Sequence, residues 1–293
     1  MARYTFTLLL LCFSLIAANG QGRLKKKIIL PKALNEVSGL YYAGPDSLWW
    51  LNDSGNSAAL YLTDGRGKLK QVLPVPGALN RDWEDLTGDN KGKLYIGDFG
   101  NNLNRRQDLC IYIFEPQTGQ LDSIRFRYPD QIAYPPAPEY WNFDMEGFFW
   151  SQDSLHLFSK NRLPQGNYYS KHYVLPAAPG QYTASLKDSL LLKNRVVTSA
   201  AQSPDGRSVV LLAYWYKLFL GFIPVTKTGI FLFNDYPGSD FLNGKIKRYR
   251  VPHCIAPTQY ESIDFIAPGK VRVASEKTVL FRQQARVRKL GGQ

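Results

Sequence analysis

From residue 30 onward, apolar positions alternate with polar ones or form short unbroken runs, and the 3.6-residue period of an amphipathic helix is absent. The runs are rich in Tyr, Phe, Val, Ile and Leu, and turn signals separate them: Gly44-Pro-Asp46, Asp64-Gly65, Asp89-Asn90, Ser203-Pro-Asp-Gly206 and Pro268-Gly269. This is the pattern of an all-β chain. The strands fall into groups, and each group opens on a related phrase. The openings are Glu36-Val-Ser-Gly-Leu, Glu84-Asp-Leu, Glu146-Gly-Phe-Phe, Ser199-Ala-Ala and Glu261-Ser-Ile-Asp-Phe. A repeat of roughly 50 residues built from four short strands predicts a β-propeller. We expect a single propeller of five four-stranded blades. Six blades is the alternative, although no sixth copy of the phrase occurs. The fifth group supplies only three strands, Ser262–Ile266, Lys270–Ala274 and Thr278–Arg282, while the apolar segment Leu24–Leu30 belongs to no group. The segment is expected to complete the last blade, closing the ring and removing its open edges.

The first residues carry a different pattern. Arg3 precedes an apolar run from Thr5 to Ala17, followed by small residues at Ala18-Asn-Gly20. This reads as a signal peptide over residues 1–20, with the propeller domain over residues 21–293. The run is too short to span a bilayer, and no later stretch reaches about 20 apolar residues, so no transmembrane segment is expected. The expected destination is the periplasm or the surroundings of the cell. Cys110 and Cys254 would remain after cleavage, either paired in an oxidising compartment or each packed as a small buried residue.

The formal net charge is +12. Such a surface favours anionic partners, or simply belongs to a basic exported protein. Arginines do not interleave along the chain with aromatics in the manner of a nucleic-acid track, so no nucleic-acid partner is expected. The apolar stretch Trp215–Val225 is either a buried excursion or an exposed lip that touches a membrane or a cell-envelope partner.

Against this basic background the acids are placed selectively. First strands of a propeller line the axis and start at one mouth, and second strands return to it. Glu36, Glu84, Glu146 and Glu261 start first strands; Asp53, Asp98, Lys160 and Glu276 end second strands. The fourth repeat offers Ser199 and Tyr214 instead, a neutral sector. Crowded carboxylates repel, and desolvation adds to the cost. Three arrangements relieve this: a bound cation such as Ca²⁺, which takes six to eight oxygens; ion pairs to Lys160, Arg105, Arg106 or Arg162; or raised carboxyl pKa values that create a general acid or base. Glutamates at strand starts can also cap backbone amides of the next blade, with no further role. His156 alternates within a second strand and reads as packed.

The strings Glu36-Val-Ser-Gly-Leu, Asn52-Asp-Ser-Gly55, Asp82-Trp-Glu-Asp-Leu86, Gly97-Asp-Phe-Gly-Asn-Asn102 and Met145-Glu-Gly147 resemble a family of exported bacterial propellers. They are similar to the SdiA-regulated and phytase-like propellers and, more distantly, to gluconolactonase and paraoxonase propellers. The latter resemblance implies axial Glu, Asn and Asp ligands for Ca²⁺, with Glu36 matching the axial Glu. Those relatives typically have six blades, where five are counted here. The leading expectation is a ligand-binding propeller whose mouth holds Ca²⁺ through Glu36, Glu84, Glu146 and Glu261. Asp53, Asp98, Asn101 and Glu276 would make outer contacts, and Lys160 and Arg162 would orient an anionic or other small-molecule ligand. The alternatives are a calcium-dependent hydrolase of phosphoesters or lactones, and a scaffold for a cell-envelope partner.

Overall fold

A computed structural model describes residues 24–161, 168–219, 223–251 and 259–291. The expected signal peptide, Arg162, His253 and Cys254 lie outside the described residues. The chain forms five antiparallel sheets in a ring. The N-terminal β1 (Lys27–Ile29) is followed by blade 1, with β2 (Val37–Gly44), β3 (Ser47–Asn52), β4 (Ala59–Thr63) and β5 (Leu69–Pro74). Blade 2 holds β6 (Trp83–Gly88), β7 (Leu94–Asp98), β8 (Cys110–Glu115) and β9 (Gln120–Arg127). Blade 3 holds β10 (Asp144–Ser151), β11 (Ser154–Lys160), β12 (Tyr169–Pro176) and, after the short β13 (Gly180–Thr183), β14 (Ser185–Leu191). Blade 4 holds β15 (Val196–Gln202), β16 (Ser208–Phe219), β17 (Ile223–Asn234) and β18 (Lys245–Arg250). Blade 5 holds β19 (Tyr260–Ala267), β20 (Lys270–Ser275) and β21 (Gln284–Lys289), and β1 pairs with β21 as its outermost strand. The five-bladed ring and its closure by the N-terminal strand are as the sequence predicts.

Two strands differ from expectation. The third strand of blade 5 is Gln284–Lys289, and Thr278–Arg282 forms the connection before it, with Val279 and Leu280 exposed. Gln284–Lys289 pairs along its length with β20 and buries Ala285, whereas 278–282 offers no face to bury. Blade 2 also gains a fifth strand, because β13 leaves blade 3 and pairs in parallel with β9, covering that outer edge.

Five buried apolar clusters hold the ring, one at each interface between neighbouring blades. Cys110 and His156 are both buried, as expected of packed residues. The first strands β2, β6, β10, β15 and β19 pack on one another around the axis. Gly39 and Gly147 allow their closest approach: a Cβ on Gly39 would come to 2.8 Å from the Leu86 nitrogen, and one on Gly147 to 2.7 Å from the Ser199 carbonyl carbon. Asp85 fills the axis at this level. Its carboxyl accepts from the Ser199 hydroxyl at 2.9 Å and from the Phe148 amide at 3.3 Å, and the Ser199 oxygen accepts the Ile263 amide at 3.2 Å. Three blades are thereby tied to blade 2, and the floor of the mouth is set.

Candidate functional site

Each first strand carries a register shift against its second strand near its start, so one residue is inserted as a β-bulge. The inserted residues are Ser38, Glu84, Glu146, Thr198 and Glu261 in blades 1 to 5. Two residues earlier on the same strands lie Glu36, Asp82, Asp144, Val196 and Gln259. Register also aligns the ends of the second strands, where Asp53, Phe99, Lys160, Tyr214 and Glu276 are equivalent. These three tiers build one mouth.

The mouth is a cavity of about 390 Å³, and six carboxyls line it: Asp53, Glu84, Asp144, Glu146, Glu261 and Glu276. Among the described residues Lys160 is the single cation in the lining, its Nζ 2.5 Å from Glu146 Oε1. Carboxylate oxygens of Glu84, Asp144 and Glu146 lie within 4.8 Å of one another, and so do those of Asp53, Asp82 and Glu84. Glu84 therefore belongs to both groups. Gly100 makes this possible, since a Cβ there would overlap Glu84 Oε1 and approach the Asp82 carboxyl to 2.5 Å.

Burial shapes the titration. It pushes the Glu84 carboxyl well above its ordinary range, and Glu146 adds repulsion. Burial also raises Glu146, although Lys160 opposes the shift. Glu261 rises to about 7 and Glu276 to about 8, each first through burial, with neighbouring carboxylates adding to Glu276. Asp82 rises to about 6 for the same reasons, burial first and then Asp53. Burial alone would pull the Lys160 ammonium down, but Glu146 and the surrounding anionic groups more than offset it and leave it raised. One ammonium against six carboxyls leaves the mouth anionic once the carboxyls ionise, and a cation or bound protons must balance it.

The sequence-predicted residues divide clearly. Glu84, Glu146, Glu261, Asp53, Lys160 and Glu276 come together in the lining. Glu36 does not join them: it is exposed on the rim, where its Oε2 accepts the Asn56 amide at 2.6 Å. The bulge in blade 1 falls on Ser38, so matching the repeats by their glutamates displaced blade 1 by two residues. Asp98 turns away from the mouth and pairs with Arg106 at 3.1 Å, because it is opposite Trp83 and the mouth position passes to Phe99. A one-residue offset on a strand exchanges faces. Asn101 acts behind the lining. Its backbone nitrogen donates to Asp144 Oδ1 at 2.7 Å, and its Oδ1 accepts the Arg105 and Arg106 backbone amides.

Sequence reasoning passed over Asp144, Asp82, Gln259 and Asn161. The first three carry a readable signal, a polar residue two places before each inserted glutamate: Asp82-Trp-Glu84, Asp144-Met-Glu146 and Gln259-Tyr-Glu261. Asn161 lines the cavity fully buried, and neither its Oδ1 nor its Nδ2 has a hydrogen-bond partner among the described residues. Buried amide atoms without partners are costly, and a ligand in the mouth would satisfy them.

No protein-family model matches the chain, and no curated protein is similar to it in sequence. Among solved structures it is similar to a mannose phosphorylase from Leishmania mexicana, with 14% identity, 90% of this chain and 88% of that one covered, and a TM-score of 0.49. It is also similar to an α-L-arabinanase from Penicillium chrysogenum, at 9% identity, coverage of 91% and 98%, and a TM-score of 0.49. A protein described as a putative gluconolactonase aligns at 12% identity over 91% and 94% of the two chains, with a TM-score of 0.45. At these levels the likeness shows the propeller fold alone.

Proposed function

We propose that this protein is an exported binding propeller whose mouth holds a divalent cation, calcium by the chemistry of its ligands, and through it a small ligand rich in oxygen. One observation carries the reading. The bulge position that could cap the neighbouring blade does so only in blades 1 and 4, where Ser38 donates to the Glu84 carbonyl and Thr198 donates to the Tyr260 carbonyl at 3.1 Å. In blades 2, 3 and 5 the same position is glutamate, and no backbone amide among the described residues donates to any of the three carboxylates. These glutamates are buried at 5%, 3% and 7% exposure; Lys160 holds Glu146 and Gln259 reaches Glu261, but the backbone holds none of the three. Buried carboxylates kept without backbone partners fit a site made for a charge that comes from outside.

The donor set fits calcium. Glu84, Asp144 and Glu146 supply hard oxygens close enough to share one ion, and Asn161 Oδ1 offers a neutral oxygen in the same cavity. Calcium bound there would neutralise the carboxylates and polarise a ligand oxygen. Lys160 would hold an anionic group of that ligand beside the ion. The resemblance to SdiA-regulated and phytase-like propellers agrees with this reading, as does the apolar leader with export. The test is calorimetric titration of calcium into the metal-free chain. Binding that disappears in Glu84→Gln supports the site, and calcium affinity equal in the parent chain and in Glu84→Gln and Glu146→Gln refutes it.

A second reading rests on the carboxyls poised near neutrality. Glu261 at about 7 and Glu276 at about 8 are matched to proton transfer at working pH. With calcium polarising an ester oxygen, they would serve a hydrolase of phosphoesters or lactones. Turnover of such esters that stops with chelator and in Glu276→Gln supports it; no chelator-sensitive turnover across phosphomonoesters and lactones removes it.

A further inference from the structure

Charge is spread unevenly round the ring. The outer strands of blades 4 and 5 come from three stretches that contain no Asp or Glu, residues 22–35, 241–260 and 277–293. Register sorts their cations by face. On blade 4, Lys245, Lys247 and Tyr249 of β18 are opposite Asn234, Leu232 and Ile230. Leu232 and Ile230 pack in the apolar cluster between blades 4 and 5, so these three side chains share the face turned to blade 5. On blade 5, Arg286 and Arg288 of β21 are opposite Val273 and Val271, which belong to the same cluster. Lys27 of β1 is opposite Arg286 and extends that row outward. The two rows therefore form the facing walls of one seam. At the end away from the mouth the walls meet, where a Cβ on Gly291 would come to 3.9 Å from the Tyr249 ring.

Lysines on β18 and β1 would by themselves protect sheet edges. Arg286 and Arg288 have no such use, because β21 is paired on both sides, with β20 and with β1. Both arginines are half-buried, and neither takes part in an ion pair among the described residues. Arg286 donates twice to Gln284 Oε1, at 3.1 and 3.3 Å. Arg288 Nε is buried and has no hydrogen-bond partner among the described residues. Burial holds the Arg288 guanidinium below its ordinary range; Tyr260 opposes the shift and Arg286 adds to it. Asp235 pairs with Lys245 at 3.0 Å, and Lys247 takes part in no such pair among the described residues. Like charges crowded in a partly desolvated seam are costly, and an anion entering from outside would relieve them.

We propose that the seam between blades 4 and 5 binds an acidic polysaccharide, whose carboxylates or sulfates pair with Arg286 and Arg288 on one wall and Lys247 on the other. Guanidinium forks match such planar or tetrahedral oxyanions. The arginines lie inside a wedge between two sheets, which a single extended chain can enter. A flat layer of lipid headgroups would meet only the exposed lysines at its edge. Tyr249 is the aromatic side chain of the walls, and it packs on the core, so the seam has no platform on which bases could stack. The seam is independent of the mouth, and neither proposal needs the other.

The experiment titrates the full chain with polygalacturonate and with heparin, using neutral dextran as the control. Binding to an acidic polymer, weakening as salt rises, and no binding to dextran are expected. Arg286→Gln with Arg288→Gln should lower the affinity about tenfold and flatten its salt dependence. Its melting temperature should be no lower than that of the parent, since crowded charge is removed, so lost binding is not unfolding. Lys247→Gln, on the facing wall, should lower affinity a few-fold. The charge-matched control is Arg125→Gln with Arg127→Gln on β9 of blade 2, which should keep the affinity within about twofold. No binding to either acidic polymer overturns the proposal, and so does an equal loss in the blade 2 control, which would assign binding to net charge alone. Tighter binding, at the same salt, to a single-stranded oligonucleotide or to phosphatidylglycerol vesicles would overturn the polysaccharide assignment.

Discussion

Blades 1 and 4 and blades 2, 3 and 5 share one backbone device and use it for opposite ends. All five insert one residue near the start of the first strand. In blades 1 and 4 the inserted hydroxyl reaches the carbonyl of the following blade and ties the ring. In blades 2, 3 and 5 the inserted residue is glutamate, and it faces the cavity with the company of Asp144, Asp53 and Glu276 rather than of backbone. A short polar side chain spans a blade interface cheaply. A longer acid at the same place burdens the fold with charge. The difference separates residues that hold the propeller from residues that hold something in it.

The largest expected effect tests the acidic side of this comparison. Glu84→Gln with Glu146→Gln should lower calcium affinity by about a hundredfold or more, since loss of supporting groups alone costs ten- to a hundredfold. In chelator Glu84→Gln alone should melt no lower than the parent at neutral pH, because burial and Glu146 already disfavour the Glu84 charge, whereas Glu146→Gln also strands the Lys160 ammonium. Titration calorimetry and a melting curve check the two halves. An equal affinity would return the glutamates to a structural role.

Next is pH. Glu261 and Glu276 titrate at about 7 and about 8 in the fold, against an ordinary 4.5. Between these values the folded chain keeps protons that the unfolded chain has released. Their contribution to stability is therefore complete below about 4.5 and is lost as pH rises through 7 to 8. Metal-free melts should fall across that window, and Glu261→Gln with Glu276→Gln should flatten the fall. His156 has the opposite sign. Burial first and His172 second hold it at about 3 against 6.5, so its contribution is lost as pH drops from 6.5 toward 3. Melts of the double Gln variant with and without His156→Gln, compared below pH 6.5, separate that limb from Asp82, which rises to about 6.

The hydroxyl side of the comparison predicts smaller changes. Ser38→Ala and Thr198→Val each remove one buried hydrogen bond and should cost about 1 kcal/mol, read from denaturant midpoints. Neither should move calcium affinity, whereas a loss of affinity would blur the division between the two sets of blades. Glu36→Gln should do least, changing affinity by less than about twofold, because Glu36 is exposed on the rim and any effect is screened by solvent.

Much of this was legible from the chain. The spacing of the apolar runs carried the blade count, and the missing strand of the last repeat carried the closure by Lys27–Ile29. Glu84, Glu146 and Glu261 stood out because three repeats begin alike. Blade 1 was misplaced because Glu36 offered a matching letter, while the matching backbone position is Ser38. A bulge is an extra residue in a pairing, and it is visible only when both strands are seen. Asp98 was misplaced for a related reason, since strand ends fix which face a side chain takes.

The most direct measurement is the melting temperature of the full chain at about pH 8, with calcium in excess and then with chelator, for the parent and for Glu84→Gln. A ligand bound only to the folded state adds roughly 2.7 kcal/mol at a hundredfold excess over Kd. Calcium should raise the melting temperature of the parent clearly, chelator should reverse the rise, and Glu84→Gln should abolish it. A parent that melts at the same temperature in both conditions, or a variant that rises as much as the parent, would contradict it.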